Sequence, residues 1–229
     1  LLDHLYAEAA TRAELGVTFH DGRPSFALWA PTAQAVTLLT WETGDPLGST
    51  PEVPGSPRRT PAVRTADGRW VVGNHPDQPA DADERETNGT ADAPIAAGCQ
   101  YLWEVRVYVP STLQVETNIV TDPYSTALTT DSTRSVAVDL ADPRLSPKQW
   151  AETPAPAVRN DSARSIYELH LRDFSAADET VPPELRGTYR AFTVAGSAGV
   201  RHLAELAQAG MNTIHLLPTF DIATIPEHR

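Results

Sequence analysis

The chain has 229 residues, with 30 Asp and Glu against 18 Lys and Arg and a formal charge of −12. That balance argues against a nucleic-acid phosphate binder and against docking on anionic membranes, both of which need a basic face. Hydrophobic residues make up 41%, enough for a core. No run of about 18 apolar residues offers a membrane span, and the length holds one or two domains. The single cysteine, Cys99, excludes an internal disulfide and a cysteine-based zinc centre.

Residues 1–15 read as a short helix with Leu1, Leu2, Leu5, Ala9 and Leu15 on one face and Gly16 just past its end. Position 1 is Leu and the only methionine is Met211. No signal-peptide pattern is visible, so the start reads as missing or processed, and secreted and cytoplasmic locations both stay open. Over residues 24–41 the period changes to two: Phe26, Leu28 and Ala30 alternate, as do Val36, Leu38 and Thr40. Asp21-Gly22 and Pro31-Thr32 punctuate them, which is hairpin chemistry.

Residues 42–66, rich in Gly, Pro, Ser and Thr, read as a loop, and 69–73 (RWVVG) as a short strand. Residues 74–98 form a second loop carrying Asp77, Asp81, Asp83, Glu84, Glu86 and Asp92. Their spacing does not fit the EF-hand pattern, so a solvated acidic loop is preferred to a calcium site. Residues 101–109 (YLWEVRVYV) are the clearest strand, with Tyr101, Trp103, Val105, Val107 and Val109 on one face. Residues 135–140 (SVAVDL) form another. Four to six short strands between turn-rich loops predict a β-sandwich over residues 16–140.

Residues 141–160, rich in proline, read as a linker and mark the domain boundary. Beyond it, 164–174 (RSIYELHLRDF) reads as a strand, 197–209 as an amphipathic helix ended by Gly210, and 211–217 (MNTIHLL) as an apolar strand. Strand, helix, strand is a βαβ unit with parallel strands. Glu168, His170 and Arg172 alternate on the first strand. A hydrogen-bonded core trio is preferred to a polar floor under a binding site, and Glu168 with His170 lacks the further ligands of a metal pair. A parallel sheet needs both faces covered, and a barrel needs eight such units. Two strands supply too little surface to bury Ile214 and Leu216, so the chain reads as cut short of its partners.

Several stretches resemble one family. SIYELHLRDFS at 165–175, VPPELRGTYRAFT at 181–193 and GMNTIHLLPTFDIATIPE at 210–227 resemble pullulanases, the type I debranching members of the alpha-amylase superfamily. FALWAPTAQAVTLLTW at 26–41, GCQYLWEVRVYVP at 98–110 and TDPYSTALTTDSTRSVAVDL at 121–140 resemble the module preceding their barrel. The resemblance implies an N-terminal helix over 1–15, an immunoglobulin-like β-sandwich carbohydrate-binding module over 16–140, a linker over 141–160, and over 161–229 the first β-α-β part of an α/β TIM barrel, incomplete.

It further implies a glycoside hydrolase acting on α-1,6-glucosidic linkages with retention, which needs two carboxylates about 5–5.5 Å apart. In that superfamily they stand on the fourth and fifth barrel strands. The catalytic groups are therefore expected beyond residue 229, and this chain alone is expected to be inactive. The expected partner is an α-glucan polysaccharide, without nucleic acid or membrane. No cofactor or metal is required, calcium is left open, and oligomeric state is not readable. Strand C-terminal ends face the active site of a barrel, so Phe220 is a candidate to stack on glucose and Asp221 to bind a hydroxyl, against packing and loop capping. Trp29 and Trp103 read as core, Trp41 and Trp70 as candidate sugar platforms. The alternatives are a non-catalytic α-glucan-binding module and a structural domain without glycan affinity.

Overall fold

A computed structural model describes residues 2–10, 14–73, 94–219 and 226. They fall into two compact units, one within Leu1–Lys148 and one within Gln149–Ile222. Among the described residues, no helix is long and apolar enough to cross a membrane.

The front unit opens with α1 (Leu2–Ala10) and continues as β1 (Gly16–His20), β2 (Arg23–Trp29), β3 (Ala33–Trp41), β4 (Arg58–Pro61), β5 (Val63–Arg64), β6 (Arg69–Val72), β7 (Gln100–Val109), β8 (Gln114–Val120) and β9 (Ser135–Val136). One sheet has the order β1-β2-β6-β5. The other has the order β4-β3-β7-β8, with β9 also on β7. The helix is shorter than residues 1–15, and Gly16 opens β1 instead of ending the helix.

Asp21 and Gly22 both take positive φ (52° and 73°) and close β1 onto β2, with His20 opposite Arg23. This is the mirror-image turn whose twist matches that of the strands. The Pro31-Thr32 signal acts differently. There the Ala33 N–H donates to the Ala30 carbonyl (3.0 Å) and the chain crosses between sheets, so β2 pairs with β1 and β6 while β3 pairs with β4 and β7. A hairpin within 24–41 is therefore not formed. The loop read over 42–66 contains β4 and β5, and β8 went unread. It is an edge strand, almost wholly exposed, so burial imposes no alternation on it.

Phe26, Leu28, Trp70 and Val72 of the first sheet meet Val36, Leu38, Tyr101 and Trp103 of the second in one core. Each fully buried aliphatic or Phe side chain contributes about 1.5–3 kcal/mol. Phe26 and Tyr101 meet edge to face at 5.0 Å. Cys99 is buried with them. Burial, then the nearby Glu42 carboxylate, pushes its thiol up to about 12, as befits a packing side chain rather than a nucleophile.

Two polar knots fasten this core. Asp122 is only 4% exposed. Its Oδ2 accepts from the Tyr101 hydroxyl (2.9 Å) and from Trp103 Nε1 (3.2 Å). Its Oδ1 accepts from the Tyr124 N–H (2.8 Å), and its own N–H donates to Ser135 Oγ (2.9 Å). Burial and the adjacent carboxylate hold the Tyr101 hydroxyl protonated. The second knot is the buried pair of Arg69 Nε with Asp67 Oδ2 at 2.8 Å, beside the turn into β6. Burial pushes the Asp67 carboxyl up, but the Thr65 hydroxyl, the Arg69 N–H and the Arg69 guanidinium together hold it below its usual range.

The back unit holds β10 (Ile166–Leu169), α2 (Asp173–Ala176), α3 (Ala198–Gln208) and β11 (Thr213–Leu216). β10 and β11 are parallel, with Glu168 opposite His215. β10 is shorter than the strand expected over 164–174. Phe174 N–H bonds back to the His170 carbonyl and Ala176 N–H to that of Arg172, both at 3.0 Å, so helical bonds replace the ladder. Ser197 caps α3 by accepting the Val200 N–H (3.3 Å). Gly210 ends it at φ +103°, with Met211 N–H reaching back to the Leu206 carbonyl (2.9 Å). Ile214 stays 43% exposed and Leu216 40%, so the apolar run of β11 is not covered.

Candidate functional site

The candidate site lies past the C-terminal ends of β10 and β11, where the connection from β10 to α3 meets the exit of β11. Residues 170–197 fold as short helical turns, α2 among them, held by backbone bonds and pinned together by side chains. Asp178 is their hub. Its Oδ1 accepts the Thr180 N–H (2.9 Å) and hydroxyl, and its Oδ2 the Gly199 N–H (3.0 Å). Thr180 Oγ1 accepts the Ala198 N–H (2.7 Å). With the Ser197 cap, three N–H groups that the first turn of α3 leaves unpaired are thus taken up. Ser175 Oγ accepts the Gly187 N–H (2.8 Å), and Ser175, Val181 and Ala191 are buried beneath.

The Thr180 hydroxyl, then the Gly199 and Thr180 N–H groups, hold the Asp178 carboxyl below its ordinary value of 3.8. A lowered folded-state pKa favours the native state above the unfolded value, and the benefit is lost as pH falls through the lowered one. The expected result is an acid-sensitive start to α3. On acidification below about pH 4, the Gly199 amide resonance should titrate with Asp178, and Asp178→Asn should abolish that titration. A Gly199 shift that is flat with pH in the wild type would refute the coupling.

Phe174 stacks flat on Phe192 (4.2 Å, 4°) and packs on the first turn of α3 at Gly199. This anchors a 3-10 turn, Tyr189–Thr193, whose Thr188 cap accepts the Arg190 N–H (3.2 Å). From that turn Tyr189 projects, 58% exposed, its hydroxyl donating to the Thr219 carbonyl at 3.1 Å. Sequence reading missed Tyr189, because a short irregular turn carries no periodicity.

The other sequence candidates fall out differently. Phe220 and Asp221 lie outside the described residues, as do the acids at positions 77–92. Glu168, His170 and Arg172 are exposed and do not form a buried trio. Arg172 has helical backbone (φ −64°, ψ −49°) and has left the strand. Glu168 Oε2 instead meets His215 Nδ1 across the strands at 2.9 Å, and His170 Nδ1 lies 3.7 Å from Asp173 Oδ2. Among the described residues, no group of three or more His, Cys, Asp or Glu could hold a metal ion.

Trp41 and Trp70 do not meet the needs of a sugar platform, which requires an open ring face. Trp70 is 7% exposed and belongs to the core, with Nε1 donating to the Ala30 carbonyl (2.9 Å). Trp41 is 9% exposed and donates Nε1 to the Gly55 carbonyl (2.8 Å). The Arg134 guanidinium covers its ring at 3.8 Å. That guanidinium is itself fixed by the Val53 carbonyl (2.8 Å), Gln100 Oε1 (3.1 Å) and Glu52 (3.0 Å). Nearness to a strand end is a poor guide here, since the Gly55 carbonyl and the Arg134 guanidinium close on Trp41. Trp103 is core as expected. Trp29 is only half-buried, with the exposed Tyr6 ring edge-on at 5.7 Å.

No family model matches the chain. It is 39% identical over 217 residues to Pullulanase 1, chloroplastic, of Arabidopsis thaliana, covering 94% of this chain and 20% of that protein. It is 36% identical over 232 residues to the pullulanase of Klebsiella pneumoniae, covering 99% and 19%. Among solved structures, the maltotriose complex of PulA from Klebsiella pneumoniae superposes with a TM-score of 0.78 at 34% identity, over 99% of this chain and 22% of that one. The pullulanase of Bacillus acidopullulyticus gives 0.68 at 25%, over 94% and 23%. The chain therefore spans about a fifth of the length of these relatives.

Proposed function

Since the chain is homologous, over nearly its whole length, to one stretch of the pullulanases, we propose that it is a portion of a glycoside hydrolase cleaving α-1,6-glucosidic branch linkages in pullulan, starch or glycogen-derived glucans. In this reading residues 16–140 are an immunoglobulin-like carbohydrate-binding module behind a helix within 1–15. Residues 141–160 are the linker, and 161–229 open a (β/α)8 barrel.

One observation carries the barrel part: β10, α3 and β11 make a parallel unit whose apolar strand residues Ile214 and Leu216 remain uncovered. Parallel sheets are stable only when both faces are buried, so the unit fits a larger sheet. The maltotriose bound to the Klebsiella pneumoniae protein supports an α-glucan as ligand. Retaining hydrolysis needs a nucleophilic carboxylate and an acid about 5–5.5 Å apart. On this reading both come from later strands, and the present residues supply framework and sugar contacts. Phe220 and Asp221, just past β11, remain candidates for stacking on glucose and binding a hydroxyl. A second reading, a non-catalytic α-glucan-binding module, is favoured by the front unit, which closes its own core.

The test is to challenge the chain with pullulan. Retardation in a pullulan affinity gel without release of reducing sugar is expected. Sugar release would refute the placement of the catalytic pair on later strands. Unchanged migration in both pullulan and amylopectin gels would refute glucan binding by this chain.

A further inference from the structure

We propose that Tyr189 is a sugar-stacking residue, its ring face receiving one pyranose unit of the α-glucan beside the exit of β11. The proposal rests on the function proposed above and adds a contact to it.

Three observations converge on this residue. The ring is 58% exposed, yet it is not free to swing, because its hydroxyl is spent on the Thr219 carbonyl at 3.1 Å. The turn beneath is pinned by fully buried Ala191, by Phe192 stacked flat on Phe174, and by the Thr188 cap. A ring whose edge is tethered while its face stays open has the form of a stacking platform. Finally, the tether joins the β10–α3 connection to the segment just after β11. This is the C-terminal end of parallel strands, where ligand sites of such sheets gather.

The chemistry matches a carbohydrate. The axial C–H groups of a pyranose form a weakly apolar face that packs on the face of an aromatic ring. A ring already held in place loses little side-chain freedom on binding. The hydroxyl proton is committed to Thr219, so Tyr189 offers its ring face, and its oxygen keeps acceptor capacity for a sugar hydroxyl.

The experiment compares wild type, Tyr189→Ala and Tyr189→Phe in the full-length protein that carries this chain, with pullulan as substrate. Tyr189→Ala should raise KM about tenfold, the equivalent of about 1.4 kcal/mol, while kcat moves little and the melting temperature stays near that of wild type. Tyr189→Phe keeps the ring but loses the Thr219 tether, so its KM should rise less than that of Tyr189→Ala. A purely structural role would instead lower the melting temperature and leave KM unmoved. An active wild type with an unchanged KM in Tyr189→Ala overturns the stacking role alone. A wild type that cleaves neither pullulan nor amylopectin overturns the functional reading, and the stacking role with it.

Discussion

Replacing Asp122 by Ala should destabilise the front unit by about 3–5 kcal/mol, read as a lower urea midpoint in tryptophan fluorescence with an unchanged denaturant slope. The carboxylate is buried, and two side-chain donors that are themselves fully buried, the Tyr101 hydroxyl and the Trp103 indole N–H, converge on its Oδ2. Truncation leaves both without an acceptor, at about 1–3 kcal/mol each. It also frees the Tyr124 N–H from Oδ1. Asp122→Asn should recover only part of the loss, because one amide oxygen cannot serve both sides and the NH2 would face the Tyr124 donor. A midpoint for Asp122→Ala within error of wild type would show that this knot does not fasten the core.

Gly98→Ala should cost a similar amount by a different route. Gly98 sits at φ +76°, and a Cβ there would lie 1.7 Å from the Asp45 backbone oxygen. The left-handed conformation alone costs a residue with a Cβ about 1–2 kcal/mol, and overpacking typically adds about 1–3 kcal/mol. The obstacle cannot swing aside as a side chain would. The Asp45 carbonyl accepts the Gly48 N–H (3.1 Å), and the one Thr43 hydroxyl proton is shared between that carbonyl (3.3 Å) and the Gly98 carbonyl (3.0 Å). On the other side the Gly98 N–H donates to Ala137 (2.7 Å), so Gly98 cannot retreat without breaking the tie to the β9 segment. Soluble Gly98→Ala protein with an unshifted melting temperature would refute this account.

Part of this fold is written in the local sequence and part is not. β7 was legible because apolar residues, Tyr101 and Trp103 above all, recur at every second position from Tyr101 to Val109. The Asp21-Gly22 turn was legible because only a few residue types tolerate two consecutive positive φ angles, whereas β1, the strand it closes onto β2, was not. The helix α3, its Ser197 start and its Gly210 stop were legible for equally local reasons. β8, β4 and β5 were not, since edge and short strands bury too little to require an apolar residue at every second position. The identity of the candidate sugar contacts was hidden more deeply. Trp41 has the same local sequence whether it faces solvent or lies beneath Arg134, and nothing adjacent in sequence to Tyr189 reveals that its hydroxyl reaches Thr219, thirty residues on.

Local chemistry therefore dictated the turns, the caps, the principal strands and the family resemblance, since each depends on residues within a few positions of one another. Which strands pair, which tryptophans are covered, where the strand after residue 164 gives way to a helical turn, and which aromatic ring stands open beside β11 were decided only by the folded chain. Apart from that turn, whose hydrogen bonds are local, each of those depends on contacts between distant residues, and a side chain's exposure is a property of what the rest of the polypeptide lays over it.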